Sequence, residues 1–243
     1  MIRVEHLCRR FGPKIAVEDL NLDIPASTFF CFLGPNGAGK TTTIRILTGL
    51  LRPTSGRAIL GGFDIQQDPV SARRLIGYVP DHPFLYDKLT GREFMRFVAG
   101  LYRMDNKTFL SRCMPLMELF EIASVADQLI EDYSHGMRQK LSFASCFLHD
   151  PKIMIVDEPW VGLDPKNIRF VKDYLRQKCR EDGLTVFMST HTLSIAEEVA
   201  DLIGIIHHGR LRFMGTVPEV KSLSHTPGSL EDVFLEITRE DAA

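Results

Sequence analysis

Apolar and polar residues alternate near the start of the chain, most clearly at Leu20, Leu22 and Ile24, and the same alternation returns around Ala58 to Leu60. A period of two turns one face toward a core, so these segments predict a small antiparallel sheet. Thr28 to Leu33 is different, a short apolar run that ends at a glycine-rich loop and is followed by helical spacing through Ile44 and Leu47. That is a strand buried on both faces feeding a helix, the unit of a parallel α/β sheet. Similar runs at Ile153 to Val156, Thr185 to Met188 and Leu202 to Ile206 alternate with helical patterns over Asn167 to Arg180 and Leu193 to Val199. They supply the remaining strands and crossovers.

Between about Asp81 and Pro151 the period changes. Phe94, Phe97, Val98 and Leu101 follow helical spacing and no strand-like run intervenes, which predicts a helical subdomain inserted at approximately 82–151. Thr90 and Glu93 have capping-box spacing for its first helix, and the last, from Ser134, is ended by Asp150-Pro151. Pro115 is expected to kink or restart the middle helix. Residues 1–220 thus form one domain with its insertion, and 221–243 a tail whose Leu230, Val233, Phe234 and Ile237 make an amphipathic segment able to dock on the body.

With 243 residues, 44% hydrophobic and 25% charged, the chain can bury a full core. Its 29 Lys+Arg against 31 Asp+Glu leave a net charge of −2, which offers no bulk attraction for nucleic acid or anionic lipid, and no nucleic-acid partner is expected. No apolar run approaches the roughly 18 residues that span a bilayer, and Arg3, Glu5, Arg9 and Arg10 interrupt any signal-peptide core. Cys8, Cys31, Cys113, Cys146 and Cys179 are odd in number and scattered, as expected of reduced thiols in a cytoplasmic protein.

Gly34-Pro35-Asn36-Gly37-Ala38-Gly39-Lys40-Thr41 matches GxxxxGK[ST] and lies between the buried strand and the helix, where that motif cradles phosphate. Glycines let successive N–H groups turn toward an anion, and the helix N-terminus adds partial positive charge. Lys40 neutralises β and γ oxygens, and Thr41 offers a hydroxyl to Mg²⁺. Thr42 joins these residues as a nucleotide contact. Farther on, Ile153-Met154-Ile155-Val156-Asp157-Glu158 puts two carboxylates at the end of a buried strand, the ligand-binding edge of a parallel sheet. Asp157 is expected to hold the metal and Glu158 to polarise the water that attacks the γ-phosphate.

Tyr133-Ser134-His135-Gly136-Met137-Arg138-Gln139 precedes that strand by one helix, and with it the chain resembles the ATP-binding cassette (ABC) ATPases in motif order over nearly its whole length. Phe11, Pro53-Thr54-Ser55-Gly56, Gly162-Leu163-Asp164-Pro165 and Ser189-Thr190-His191 extend the series. The resemblance implies a P-loop NTPase (RecA-like) parallel-sheet core with an N-terminal antiparallel β subdomain and an inserted α-helical subdomain. It further implies a head-to-tail dimer, most simply a homodimer, with two ATP molecules between the phosphate loop of one subunit and the serine-glycine motif of the other. In that scheme Phe11 stacks on adenine, Ser134 and Gly136 meet the γ-phosphate from across the interface, and Asp164 lies at the seam. His191 contacts the γ-phosphate and helps place the lytic water.

Two residues depart from the family's pattern. Asp81 stands where a glutamine usually meets magnesium or the lytic water, and a carboxylate there can serve directly as a metal ligand. His135 replaces the first glycine of the signature motif and Met137 its glutamine. The implied partner is an integral membrane permease, with this chain peripheral on the cytoplasmic face; the tail from Ser229 to Leu235 looks like that of ATPases serving small export-type permeases. Pro83-Phe84-Leu85-Tyr86 is a candidate permease contact, or simply packs the subdomain. Two other uses of the same motifs stay open: a clamp acting on nucleic acid or a ribosome, and a regulatory ATP-binding module with weak hydrolysis.

Overall fold

The computed structural model describes residues 1–160, 164–222 and 230–239. Gly162, Leu163 and Ser229, cited above, lie outside the described residues. In chain order β1 (Ile2–Phe11) and β2 (Lys14–Ile24) form a hairpin, and β3 (Phe29–Leu33) runs through the phosphate loop into α1 (Lys40–Leu47). β4 (Ser55–Leu60) and β5 (Phe63–Asp64) follow, then α2 (Pro69–Arg74) and β6 (Ile76–Val79). The insertion is built on α3 (Gly91–Leu101), α4 (Asn106–Leu119) and α5 (His135–Phe147). The chain then alternates through β7 (Ile153–Asp157), α6 (Pro165–Glu181), β8 (Thr185–Thr190), α7 (Leu193–Val199) and β9 (Leu202–His207). β10 (Arg210–Gly215), α8 (Val217–Lys221) and α9 (Leu230–Arg239) complete it.

The strands form two sheets. One is antiparallel, in the order β2-β1-β4-β5; the other runs β10-β9-β3-β8-β7-β6, parallel except for the β9–β10 pair. The unbroken apolar run of β3 is explained by its two faces. Phe30 and Phe32 point with Phe187 (ring centroids 5.1 and 5.4 Å) into the layer shared with the antiparallel sheet and α1. Phe29, Cys31 and Leu33 point the other way, into the core that the helical layer covers. Burial of each such ring is worth about 1.5–3 kcal/mol, which is why the central strand tolerates no polar position.

The expected alternation at Leu20, Leu22 and Ile24 is met, with Asn21 and Asp23 exposed between them. The capping box at Thr90 and Glu93 is formed in full. Thr28 falls outside β3 although its side chain is buried. Two edge strands escaped the periodicity: β6 is four residues long, and β10 alternates at the sheet margin without an apolar run. Of the kink or restart expected at Pro115, the restart does not occur: α4 runs through it, held by buried Phe109, Cys113 and Met117 on both sides, while Pro115 itself faces outward. The amphipathic tail segment is α9, which buries Leu230 and Val233 and packs on α7 and α8. Its first N–H donates to Glu197 Oε1 at 3.1 Å. All five cysteines are free thiols.

Candidate active site

The C-terminal ends of β3, β7 and β8 lie side by side in the parallel sheet, so the residues that follow each of them converge. After β3 comes the phosphate loop. Gly39, with φ of 113°, is the N-cap of α1, and a Cβ there would stand 2.5 Å from the Ala16 carbonyl oxygen. Gly34 is equally confined, its Cβ position lying 2.4 Å from the Ile206 carbonyl oxygen. Only glycine fits either place. The loop borders a cleft of about 410 Å³ lined by Phe11, Lys14, Ala16, the whole segment Pro35 to Thr42, and Glu158. Asn36, Gly37 and Thr41 are exposed to it.

Lys40 is almost fully buried at the base of that cleft. Its ammonium donates to the Gly34 carbonyl at 2.6 Å and the Pro35 carbonyl at 3.3 Å, and pairs with Glu158 Oε1 at 3.3 Å. Glu158 follows β7 with φ of +42°, a left-handed conformation that costs a residue with a Cβ about 1–2 kcal/mol and turns its side chain out of the strand. Glu158 Oε2 lies 2.5 Å from Nδ1 of His191, whose ring is 61% exposed just beyond β8. One carboxylate therefore touches the phosphate-loop lysine with one oxygen and the post-β8 histidine with the other.

Asp157, the last residue of β7, is buried. Its Oδ1 accepts a hydrogen bond from the Ser189 hydroxyl at 2.5 Å, and its Oδ2 is buried with no partner. Burial raises its pKa, the Ser189 hydroxyl bonded to it and the nearby Thr41 hydroxyl oppose that, and the charges of Asp81 and Glu158 add to it. Asp81 is thus within electrostatic reach of Asp157. Its carboxylate is exposed and held by His82, Oδ1 accepting from the backbone N–H at 2.8 Å and Oδ2 lying 3.1 Å from Nδ1. No group of three or more His, Cys, Asp or Glu side chains is arranged for a metal among the described residues. The donors instead suit Mg²⁺, which takes one or two protein oxygens and fills the rest with water and phosphate, and the orphaned Asp157 Oδ2 is an oxygen that a cation at this edge would satisfy.

Ser134, Gly136 and Asp164 do not line the cleft. Ser134 is the N-cap of α5, its hydroxyl accepting from the Met137 N–H at 3.3 Å, and Gly136 lies in the first turn. Asp164 caps α6, accepting from Asn167 through both oxygens at 2.9 and 2.7 Å, and the Asn167 N–H holds its carboxyl below the usual range. Sequence reasoning missed Lys14 and Ala16, which reach the cleft from the β1–β2 hairpin, and gave no separate role to Ser189.

A family model described as ABC transporter matches residues 17–161. The ABC-type transporter ATP-binding protein EcsA of Bacillus subtilis is 32% identical over 243 residues, covering 100% of this chain and 98% of that protein. A daunorubicin resistance ATP-binding protein of Streptomyces coeruleorubidus is 35% identical over 96% of this chain and 73% of its own length. The bacitracin transport ATP-binding protein BcrA of Bacillus licheniformis is 35% identical over 87% and 68%. Among solved structures, an ATP-binding subunit of an ABC transporter superposes with a TM-score of 0.91 at 29% identity, over 98% of this chain and 99% of that one. The phosphate loop on β3, the carboxylates ending β7 and the histidine after β8 are held on the same architecture, and the chain belongs to the ABC transporter ATP-binding family.

Proposed function

We propose that this chain is the motor of a membrane exporter: two copies close head to tail around two ATP molecules, and hydrolysis reopens them to drive a separate permease. The observation that carries the proposal is the contact of Glu158 with both Lys40 and His191 at the mouth of the phosphate loop. Thr41, Asp157 and Asp81 are the residues that would hold Mg²⁺, which when bound would offset the negative charge of the phosphates. The loop amides and Lys40 bind the phosphates, Phe11 offers a ring face to adenine, and Thr42 stands in the cleft wall beside Thr41. Glu158 accepts a proton from the attacking water, while the exposed His191 ring orients that carboxylate and takes up the γ-phosphate contact.

Ser134, Gly136 and Asp164 lie outside the cleft of their own chain, and the helix N-termini they occupy suit a phosphate and an interface contributed by a second copy. Export is supported by the relatives associated with daunorubicin resistance and bacitracin transport. Among the described residues no helix is long and apolar enough to cross a membrane, and in the proposed arrangement a separate permease provides the path for cargo. That partner has a surface to meet on the insertion, where Phe84 is 83% exposed and Tyr86 and Leu101 are also open. The test is a pull-down of the Glu158→Gln protein from solubilised native membranes with MgATP. Recovery of a multi-span permease supports the proposal; recovery of only soluble proteins or nucleic acid with folded, ATP-bound bait overturns it.

A further inference from the structure

Ser189 lies in the middle of the site without facing the cleft. It is the fifth residue of β8, wholly buried, and in register with Asp157 on β7. Its hydroxyl has one proton, and that proton goes to Asp157 Oδ1 at 2.5 Å. The Ser189 hydroxyl oxygen in turn accepts the Glu158 N–H at 3.2 Å, a bond shared with the Ser189 carbonyl oxygen, also at 3.2 Å. A directed chain results, from the Glu158 N–H to the Ser189 hydroxyl to Asp157 Oδ1. Its ends are the backbone of the residue held at positive φ and one oxygen of the buried carboxylate.

Two physical consequences follow. A carboxylate with one oxygen tied by a short hydrogen bond cannot turn about its last torsion without losing that bond in a buried site, so Oδ2 is presented in one direction. An N–H anchored at Glu158 helps to hold a conformation that a residue with a side chain rarely adopts, and so fixes where the Glu158 carboxylate emerges. We propose that Ser189 is a positioning residue of the ATPase site, one hydroxyl setting both the metal-facing oxygen of Asp157 and the backbone of Glu158. The proposal rests on the reading of Asp157 as the metal carboxylate and Glu158 as the base. Ser189 is fully buried and does not line the cleft; it acts through its two neighbours.

The test uses the full chain with Ser189→Ala and Ser189→Cys, the second keeping the side-chain volume while replacing a strong donor by a weak one. Binding of a fluorescent non-hydrolysable ATP analogue is followed in EDTA and across a Mg²⁺ titration, with Asp157→Asn as control and thermal midpoints to verify folding. Both Ser189 variants are expected to need about tenfold or more Mg²⁺ for half-maximal enhancement of binding, the loss usual for a partner of a metal ligand. Affinity in EDTA stays as in the wild type, and kcat falls with little change in KM. If Asp157→Asn shifts the titration and neither Ser189 variant does, Ser189 merely packs the strand and the proposal fails while the metal reading stands. A wild-type titration for Ser189→Cys beside a shifted one for Ser189→Ala also overturns it, since volume and not the hydroxyl then matters. An unshifted Asp157→Asn removes the metal reading and this proposal with it.

Discussion

Lys40 Nζ lies 3.3 Å from Glu158 Oε1, so the ammonium expected to meet the triphosphate is paired with the carboxylate expected to activate water. An ammonium has three protons, and here two are directed at the Gly34 and Pro35 carbonyls. A phosphate entering the loop therefore competes with Glu158 for Lys40. Glu158→Gln removes the competitor and leaves a buried cation that ATP can satisfy. Turnover is expected to fall by about 10²–10⁴, the usual worth of a general base, while ATP binds more tightly and raises the thermal midpoint further than in the wild type. Phosphate release and equilibrium binding check the two halves separately. Unchanged turnover would remove Glu158 as the base, and weaker ATP binding would remove the competition.

Phe11 ends β1 at the cleft with 45% of its surface exposed, and the Arg9 guanidinium stands 4.4 Å from the ring centroid. A ring stacked by a cation on one face and open on the other suits a purine. Phe11→Ala is expected to raise KM for ATP with kcat little changed, because stacking contributes equally to ground and transition states. Loss of one base–aromatic contact costs about 1–3 kcal/mol, which corresponds to roughly 5- to 150-fold in KM. Phe11→Tyr keeps the ring and is expected to behave as the wild type. A KM for Phe11→Ala within about twofold of wild type would place adenine elsewhere.

Asp81 raises the proton affinity of Asp157 through its charge, which sets the two carboxylates near one another at the edge where Thr41 opens to the cleft. A second carboxylate beside Asp157 strengthens a site for a divalent ion, so Asp81→Gln is expected to raise the Mg²⁺ concentration for half-maximal ATPase activity several-fold. The comparison is a Mg²⁺ titration of both proteins at fixed ATP. Superimposable curves would show that Asp81 takes no part in holding the metal.

The phosphate loop and the Asp157-Glu158 pair were legible because each is a local pattern: the glycines and the lysine are contiguous, and the carboxylates end an apolar run. The convergence of Lys40, Glu158 and His191 was legible only through resemblance, since it joins the ends of three strands that are distant along the chain. Ser189 carried no signal of its own, because a serine in a buried strand looks the same whether it bonds its own backbone or a carboxylate on the neighbouring strand. β10 went unread for a related reason: an edge strand needs little burial, so its Arg210, Leu211 and Arg212 show no apolar run. At Pro115 the helix continues where the local rule allowed a restart, since buried Phe109, Cys113 and Met117 lie on both sides of the residue.

His149 follows α5 where the helical insertion meets the sheet. Its ring stacks on Tyr102 at 3.7 Å and 10°, Nε2 lies 3.1 Å from the Ile76 carbonyl oxygen, and Nδ1 is buried with no partner. Nε2 therefore carries the proton in the neutral ring, and protonating Nδ1 would put a charge where nothing accepts its hydrogen. Burial pushes the pKa down to about 4 from an ordinary 6.5, with the bond to Ile76 opposing weakly. In the unfolded chain the imidazole takes up a proton as pH falls through about 6.5 and in the folded chain it does not until about 4, so acid favours unfolding across that interval. The stability is complete above the upper value, is lost on the way down, and changes no further below the lower one. Between about pH 7 and pH 5 the loss from this residue is about 2 kcal/mol. His149→Phe keeps a ring for Tyr102 and has no proton to gain, so its stability is expected to decline less over the same interval. Urea unfolding of both proteins at several pH values measures the difference, and curves that stay parallel from neutral pH to pH 5 would show that His149 titrates normally in the folded protein.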